Sequence, residues 1–270
     1  MKIQINSLLL AYDDNGIGLP VIFLHAFPLN RQMWAGEKQA LLEDQRYRLI
    51  SLDWRGFGES EIASSTTSSV VSTMVMFADD IAGLMDQLGI SQAVLCGLSM
   101  GGYAAFAFAR KYPERLSGLI LADTRPGGDT SEAQINREKV AQLAENEGTD
   151  AIADIQLPRL ISDYTRQHHP QVETRVRQLI DAATPQGIAA ASRGMAARTG
   201  STTLLAQIAC PTLVITGEED ALIPPQVSRE YAAQIPGAQY VIIPHAGHLS
   251  NLEQPGPFIA AMRQFLSALV

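Results

Sequence analysis

Short, wholly apolar runs recur along the chain, separated by longer segments with helical spacing. The apolar runs are "VIFLH" (Val21–His25), "YRLISLD" (Tyr47–Asp53), "QAVLCGLS" (Gln92–Ser99), "LSGLILAD" (Leu116–Asp123), "PTLVITG" (Pro211–Gly217) and "AQYVIIP" (Ala238–Pro244). Each reads as a strand apolar on both faces, the pattern of a parallel sheet covered by helices. Before them, Ile3 to Tyr12 alternates like a strand pair, followed by a turn at "DDNGIG" (Asp13–Gly18). The spacing predicts helices over Gln32–Glu43, over Met74–Leu88 with Gly89 as its C-terminal cap, and over Gly101–Tyr112 with Pro113 as its stop. Two more are expected near Gln226–Gln234 and at Pro257–Leu269. Strand–helix alternation of this kind predicts an α/β fold.

The alternation lapses between residues 125 and 207. Helical segments continue there (Glu132–Glu145, Ala151–Leu157, Gln171–Ala183), but no run reads as a strand. The expected organisation is one core domain, 1–124 and 208–270, with a helical cap inserted at 125–207. A polar Ser/Thr stretch, Ser64–Thr73, is the sole low-complexity tract.

Composition narrows the function classes. With 46% hydrophobic residues, 270 residues can bury one large core. A net charge of −8 with no basic cluster argues against a nucleic-acid partner. No run is long and apolar enough to span a bilayer, and the first residues lack the pattern of a secretion signal, so a cytoplasmic protein with no membrane partner is expected. Cys96 and Cys210 sit in or beside apolar runs and read as free thiols, not as a disulfide or a metal site.

The chemistry starts at Gly97-Leu98-Ser99-Met100-Gly101. A strand turning into a helix within one residue lifts the serine hydroxyl clear of the sheet. Small neighbours are then needed to avoid collisions, and the Met100 N–H falls at a helix start, where backbone donors favour negative charge. A serine hydroxyl needs a base to take its proton. Of the five histidines, His168 and His169 lie in the cap, and His25 ends an early strand. His245 and His248 follow the last strand, on the sheet edge where such folds bind ligands. His248 lies farther along the loop and is preferred. For the acid that orients it, Asp220 in "ITGEEDALIP" is preferred over Asp123 at the end of "LILAD".

The order Ser99, Asp220, His248 is that of the α/β-hydrolases, which the chain resembles over nearly its whole length. "HAFPLN" (His25–Asn30) resembles the family's H-G-x-P loop with Ala26 at the glycine. The resemblance implies that the Phe27 N–H joins the Met100 N–H as an oxyanion donor. "DWRGFGES" (Asp53–Ser60) matches a structural loop of the same family. "GLSMGGY", "ADTRPGGDT", "GMAAR" and "PTLVITGEEDALIP" look most like the small carboxylesterases grouped with 3-oxoadipate enol-lactonases and cofactor-free haloperoxidases. What this implies is an eight-stranded, mostly parallel sheet with a cap. The implied activity is a carboxylesterase that forms an acyl-enzyme on Ser99 from a small-molecule ester and uses no cofactor or metal. A lactonase or perhydrolase with the same three residues, or a non-catalytic binding protein, are the alternatives. Phe27, Trp34 and Met100 are candidate pocket walls, and Trp34 and Arg125 candidate substrate contacts. Core burial of Trp34 and a surface salt bridge at Arg125 are the competing readings.

Overall fold

The computed structural model describes residues 1–62 and 70–270, so most of the Ser/Thr stretch lies outside the described residues. Eight strands form the sheet: β1 (Lys2–Ile5), β2 (Leu8–Gly16), β3 (Leu19–Leu24), β4 (Tyr47–Leu52), β5 (Ala93–Leu98), β6 (Leu116–Ala122), β7 (Thr212–Gly217) and β8 (Gln239–Ile243). Their order in space is β1-β2-β4-β3-β5-β6-β7-β8. β1 and β2 pair antiparallel, β2 runs antiparallel to β4, and every later pairing is parallel. The central strands β5 and β7 are buried along their whole length, which is why they carry no charged residue and are mostly apolar.

Among the described residues, ten α-helices accompany the sheet: α1 (Ala35–Leu42), α2 (Met74–Gln87), α3 (Met100–Lys111), α4 (Ser131–Leu160), α5 (Asp163–His168), α6 (Pro170–Asp181), α7 (Pro185–Ala196), α8 (Pro225–Ala232), α9 (Ser250–Glu253) and α10 (Pro255–Ser267). α4 to α7 all lie between β6 and β7, and α4 packs on α6 and α7. Among the described residues no helix is long and apolar enough to cross a membrane. Cys96 is buried, Cys210 is half-buried, and both are free thiols.

Two local expectations need correction. The turn expected at Asp13–Gly18 is instead the end of β2, which continues to Gly16. Asp13 and Asp14 are poor strand formers, but Lys38 and Arg48 bind their carboxylates and β4 pairs with their backbone. Tertiary contacts therefore override propensity here. The helix expected from Gln32 begins as a 3-10 turn, Arg31–Trp34, before α1. In the insertion, α4 breaks at Gly148, between the two helical segments expected at Glu132–Glu145 and Ala151–Leu157; the φ of 83° there favours a residue without a Cβ, and the second segment runs on to Leu160. α7, not anticipated at all, is interrupted in sequence by Gly187 and Gly194. It is started by Thr184, whose side chain accepts from Gly187 N at 2.9 Å.

Candidate active site

Ser99 stands alone between β5 and α3, at φ 54° and ψ −112°. That backbone is unfavourable for a non-glycine residue by about 1–3 kcal/mol and persists only where the surroundings enforce it. They do so here from both sides. Ser99 N donates to Ala122 O at 2.9 Å, and Ser99 O accepts from Thr124 Oγ1 at 2.8 Å. The turn also brings α3 hard against β3: a Cβ on Gly101 would lie 2.1 Å from the Leu24 carbonyl oxygen, so only glycine fits.

His248 is carried by the loop after β8, and its Nε2 lies 2.8 Å from Ser99 Oγ. Its Nδ1 lies 2.8 Å from Asp220 Oδ2. With Nδ1–H donating to the carboxylate, Nε2 is left to accept from the serine hydroxyl. The other Asp220 oxygen accepts from Leu222 N at 2.8 Å and Ile223 N at 2.9 Å, which fixes the carboxylate's orientation. Burial disfavours a charged imidazole, but the Asp220 carboxylate outweighs it, and the net effect raises the His248 pKa above its ordinary 6.5. All three side chains are buried or nearly so.

Asp123, the competing acid, lies close by but does not bond the histidine. One of its oxygens accepts from Gly217 N at 2.7 Å and the other meets Ser250 Oγ. Burial, with the Asp220 charge beside it, pushes its pKa well above the carboxylate range. His245 is 57% exposed, stacked on Tyr164 and turned to solvent.

The loop after β3 is built around His25. Its Nδ1–H donates to Ala26 O at 2.9 Å and its Nε2 accepts from Trp54 N at 3.0 Å. Burial holds its pKa down to about 3, so the ring is neutral at physiological pH. It is a strut between this loop and the "DWRGFGES" loop, a role its place at a strand end did not reveal. Ala26 N is taken by Met33 Sδ at 3.2 Å. Among the described residues no acceptor meets the Phe27 N–H. Met100 opens α3, so its N–H is among the first-turn donors with no intrahelical acceptor.

Glu253 is a further residue whose role the sequence did not reveal. One of its oxygens accepts from Gly247 N at 2.9 Å and Leu249 N at 3.2 Å, on either side of His248. The other accepts from Ser162 N and Thr165 Oγ1, each at 2.8 Å, at the start of α5. The only hint in the sequence is an acid five positions after the histidine.

A cavity of about 280 Å³ opens over Ser99 and His248. Phe27, Tyr103, Leu222 and Ile223 line its apolar part. Arg125 lines it too and pairs with Asp129 at 2.9 Å, so both sequence readings of Arg125 have a counterpart. Trp34 does not line it. Its ring is fully buried between Phe23 and Phe258, the core reading rather than the substrate one. The Met100 side chain is likewise buried, outside the cavity lining.

Comparison with known proteins gives a consistent picture. Residues 20–255 match the model of a family described as "alpha/beta hydrolase fold". The chain is similar to a thermophilic esterase from Thermogutta terrifontis, solved with malate bound. The two are 46% identical with a TM-score of 0.94, covering 100% of this chain and 98% of that one. An enol-lactonase from Burkholderia xenovorans LB400 is 29% identical with a TM-score of 0.89, covering 99% of this chain and 100% of that one. A bromoperoxidase from Bacillus anthracis, at 23% identity and a TM-score of 0.85 over 99% of both chains, shares the fold.

Proposed function

The chain belongs to the alpha/beta hydrolase fold family, and on that premise we propose that it is a serine carboxylesterase acting on small esters. The observation that carries this reading is the unbroken hydrogen-bonded line from Ser99 Oγ through His248 to Asp220, with both links at 2.8 Å. Ser99 Oγ attacks the ester carbonyl while His248 Nε2 takes its proton. Asp220 holds the ring in the tautomer that leaves Nε2 free and stabilises the imidazolium that forms. The negative charge developing on the carbonyl oxygen is met by the Phe27 and Met100 N–H groups. A single such donor is worth about 10²–10³ in kcat in related chemistry. His248 then gives its proton to the leaving alcohol, activates a water molecule, and the acyl group is released from Ser99 as the acid. The chemistry is complete with this chain's own residues.

The test is hydrolysis of p-nitrophenyl butyrate by the purified protein and its Ser99→Ala variant. The wild-type protein is expected to turn the ester over, and the variant to lose activity by about 10³-fold or more. A variant that keeps wild-type activity while folded, as judged by circular dichroism, would remove Ser99 from the chemistry.

A further inference from the structure

The cavity above Ser99 changes character between its two walls. The wall made by the core is mainly apolar. The wall made by the insertion is mixed: beside apolar Val140, Leu160 and Met195 it brings Asn136, Arg137, Gln156 and Arg159, all from α4, and Arg125 comes from the loop that precedes α4. Both arms of α4 contribute because the helix is broken at Gly148: Asn136 and Arg137 precede the break, Gln156 and Arg159 follow it.

The charges on this wall do not balance. Three arginines line the cavity and Asp129 is the sole acid among the lining residues. The Asp129 side chain has no exposed surface and is already shared by three guanidinium groups: Arg125 at 2.9 Å, Arg137 at 3.1 Å and Arg198 at 2.8 Å. One carboxylate thus serves three cations, of which Arg198 stands outside the cavity lining. Arg125 Nε is buried without a hydrogen-bond partner. Arg159 is exposed, and among the described residues no acid or carbonyl pairs with it. A cavity wall with more guanidinium forks than its one carboxylate can neutralise matches a planar carboxylate, which a fork can grip with two parallel hydrogen bonds.

We propose that Arg125, Arg137 and Arg159 form a carboxylate subsite, and that the preferred ester carries, besides its scissile bond, a free carboxylate. This inference rests on the Ser99 reading above for the bond that is cleaved, and adds which molecules present that bond. Asp129 is a positioning residue: it holds Arg125 and Arg137 at the cavity and leaves a net positive charge there.

The experiment compares kcat/KM for three esters of similar size: ethyl butyrate, which is neutral, monoethyl succinate, with the carboxylate on the acyl half, and O-butyrylglycolate, with the carboxylate on the alcohol half. At least one anionic ester is expected to exceed ethyl butyrate by about tenfold or more at low ionic strength, the worth of one charge-assisted pair. The arm that shows the preference tells which half of the substrate faces the subsite. Arg159→Gln, at an exposed position with no partner among the described residues, is expected to lower the anionic-to-neutral ratio several-fold. Raising salt to about 1 M, where charges are screened within about 3 Å, should do the same. The control is Arg177→Gln on α6, a partly exposed arginine paired with Asp154 and outside the cavity, which should leave the ratio unchanged. Equal or better turnover of ethyl butyrate, with a ratio indifferent to Arg159→Gln and to salt, overturns the subsite. If Ser99-dependent hydrolysis of p-nitrophenyl butyrate persists in that case, the ester-cleaving reading stands and the subsite alone falls.

Discussion

On the core side of the cavity the polar groups are tied down at both ends. Ser99, His248 and Asp220 are linked at 2.8 Å, and Asp220 is anchored further by two backbone N–H groups. On the side of the insertion, Arg125 is a third exposed and Arg159 has no partner among the described residues. The difference separates two tasks. Moving a proton between fixed atoms needs groups whose geometry is over-determined before substrate arrives. Recognising a substrate's remote end needs groups whose hydrogen-bonding capacity is still unspent.

The sharpest way to break this contrast is at the acids. Asp220→Asn removes the charge that supports the imidazolium and should lower kcat on p-nitrophenyl butyrate by about 10³–10⁴. Asp123→Asn removes a carboxyl that bonds Gly217 and Ser250 rather than the histidine, and should cost no more than about tenfold. If Asp123→Asn proved the more damaging, the fixed side of the cavity would have been assigned to the wrong acid. A smaller effect is expected at Glu253. Glu253→Gln leaves part of a four-donor cluster unsatisfied and should destabilise the fold by about 1–3 kcal/mol, read as a drop of several degrees in Tm by calorimetry. A Tm unchanged within error would mean that the cluster holds the loop only loosely. The mildest test is pH. Because the Asp220 carboxylate raises the His248 pKa, the ring stays protonated, and unable to accept from Ser99, to a higher pH than an ordinary imidazole. The acid limb of kcat/KM should therefore have its midpoint above 6.5, with activity rising as pH increases through it. A midpoint at or below 6.5 would show that desolvation outweighs the carboxylate.

The two sides also differ in how far they can be read from the chain. Ser99, Asp220 and His248 each follow an apolar strand, and strands of a parallel sheet deliver their following loops to one edge. Apolar periodicity plus chain order is therefore enough to bring the three into one neighbourhood. His25 and Glu253 escaped because their work is done through partners far away in sequence: Trp54 for one, Ser162 and Thr165 for the other. Nothing periodic marks such pairs. The cap escaped for a further reason. Arg137 and Arg159 come to one cavity from the two arms of α4 on either side of Gly148; the break between Glu145 and Ala151 is legible, but not that both arms face one cavity. On β2, Asp13 and Asp14 read as a turn because charge partners on α1 and β4, invisible to local propensity, hold them in a strand.

Glu253 sets a rule for anyone who would transplant a cap. Its two oxygens belong to different owners: one serves the loop bearing His248, the other the first residues of α5. A foreign cap grafted between β6 and β7 to change the enzyme's diet would have to bring its own donors for that second oxygen. Without them the graft would loosen the loop that carries His248. A splice that retains residues 162–165 and exchanges only α4, α6 and α7 would leave the carboxylate's loyalties undivided.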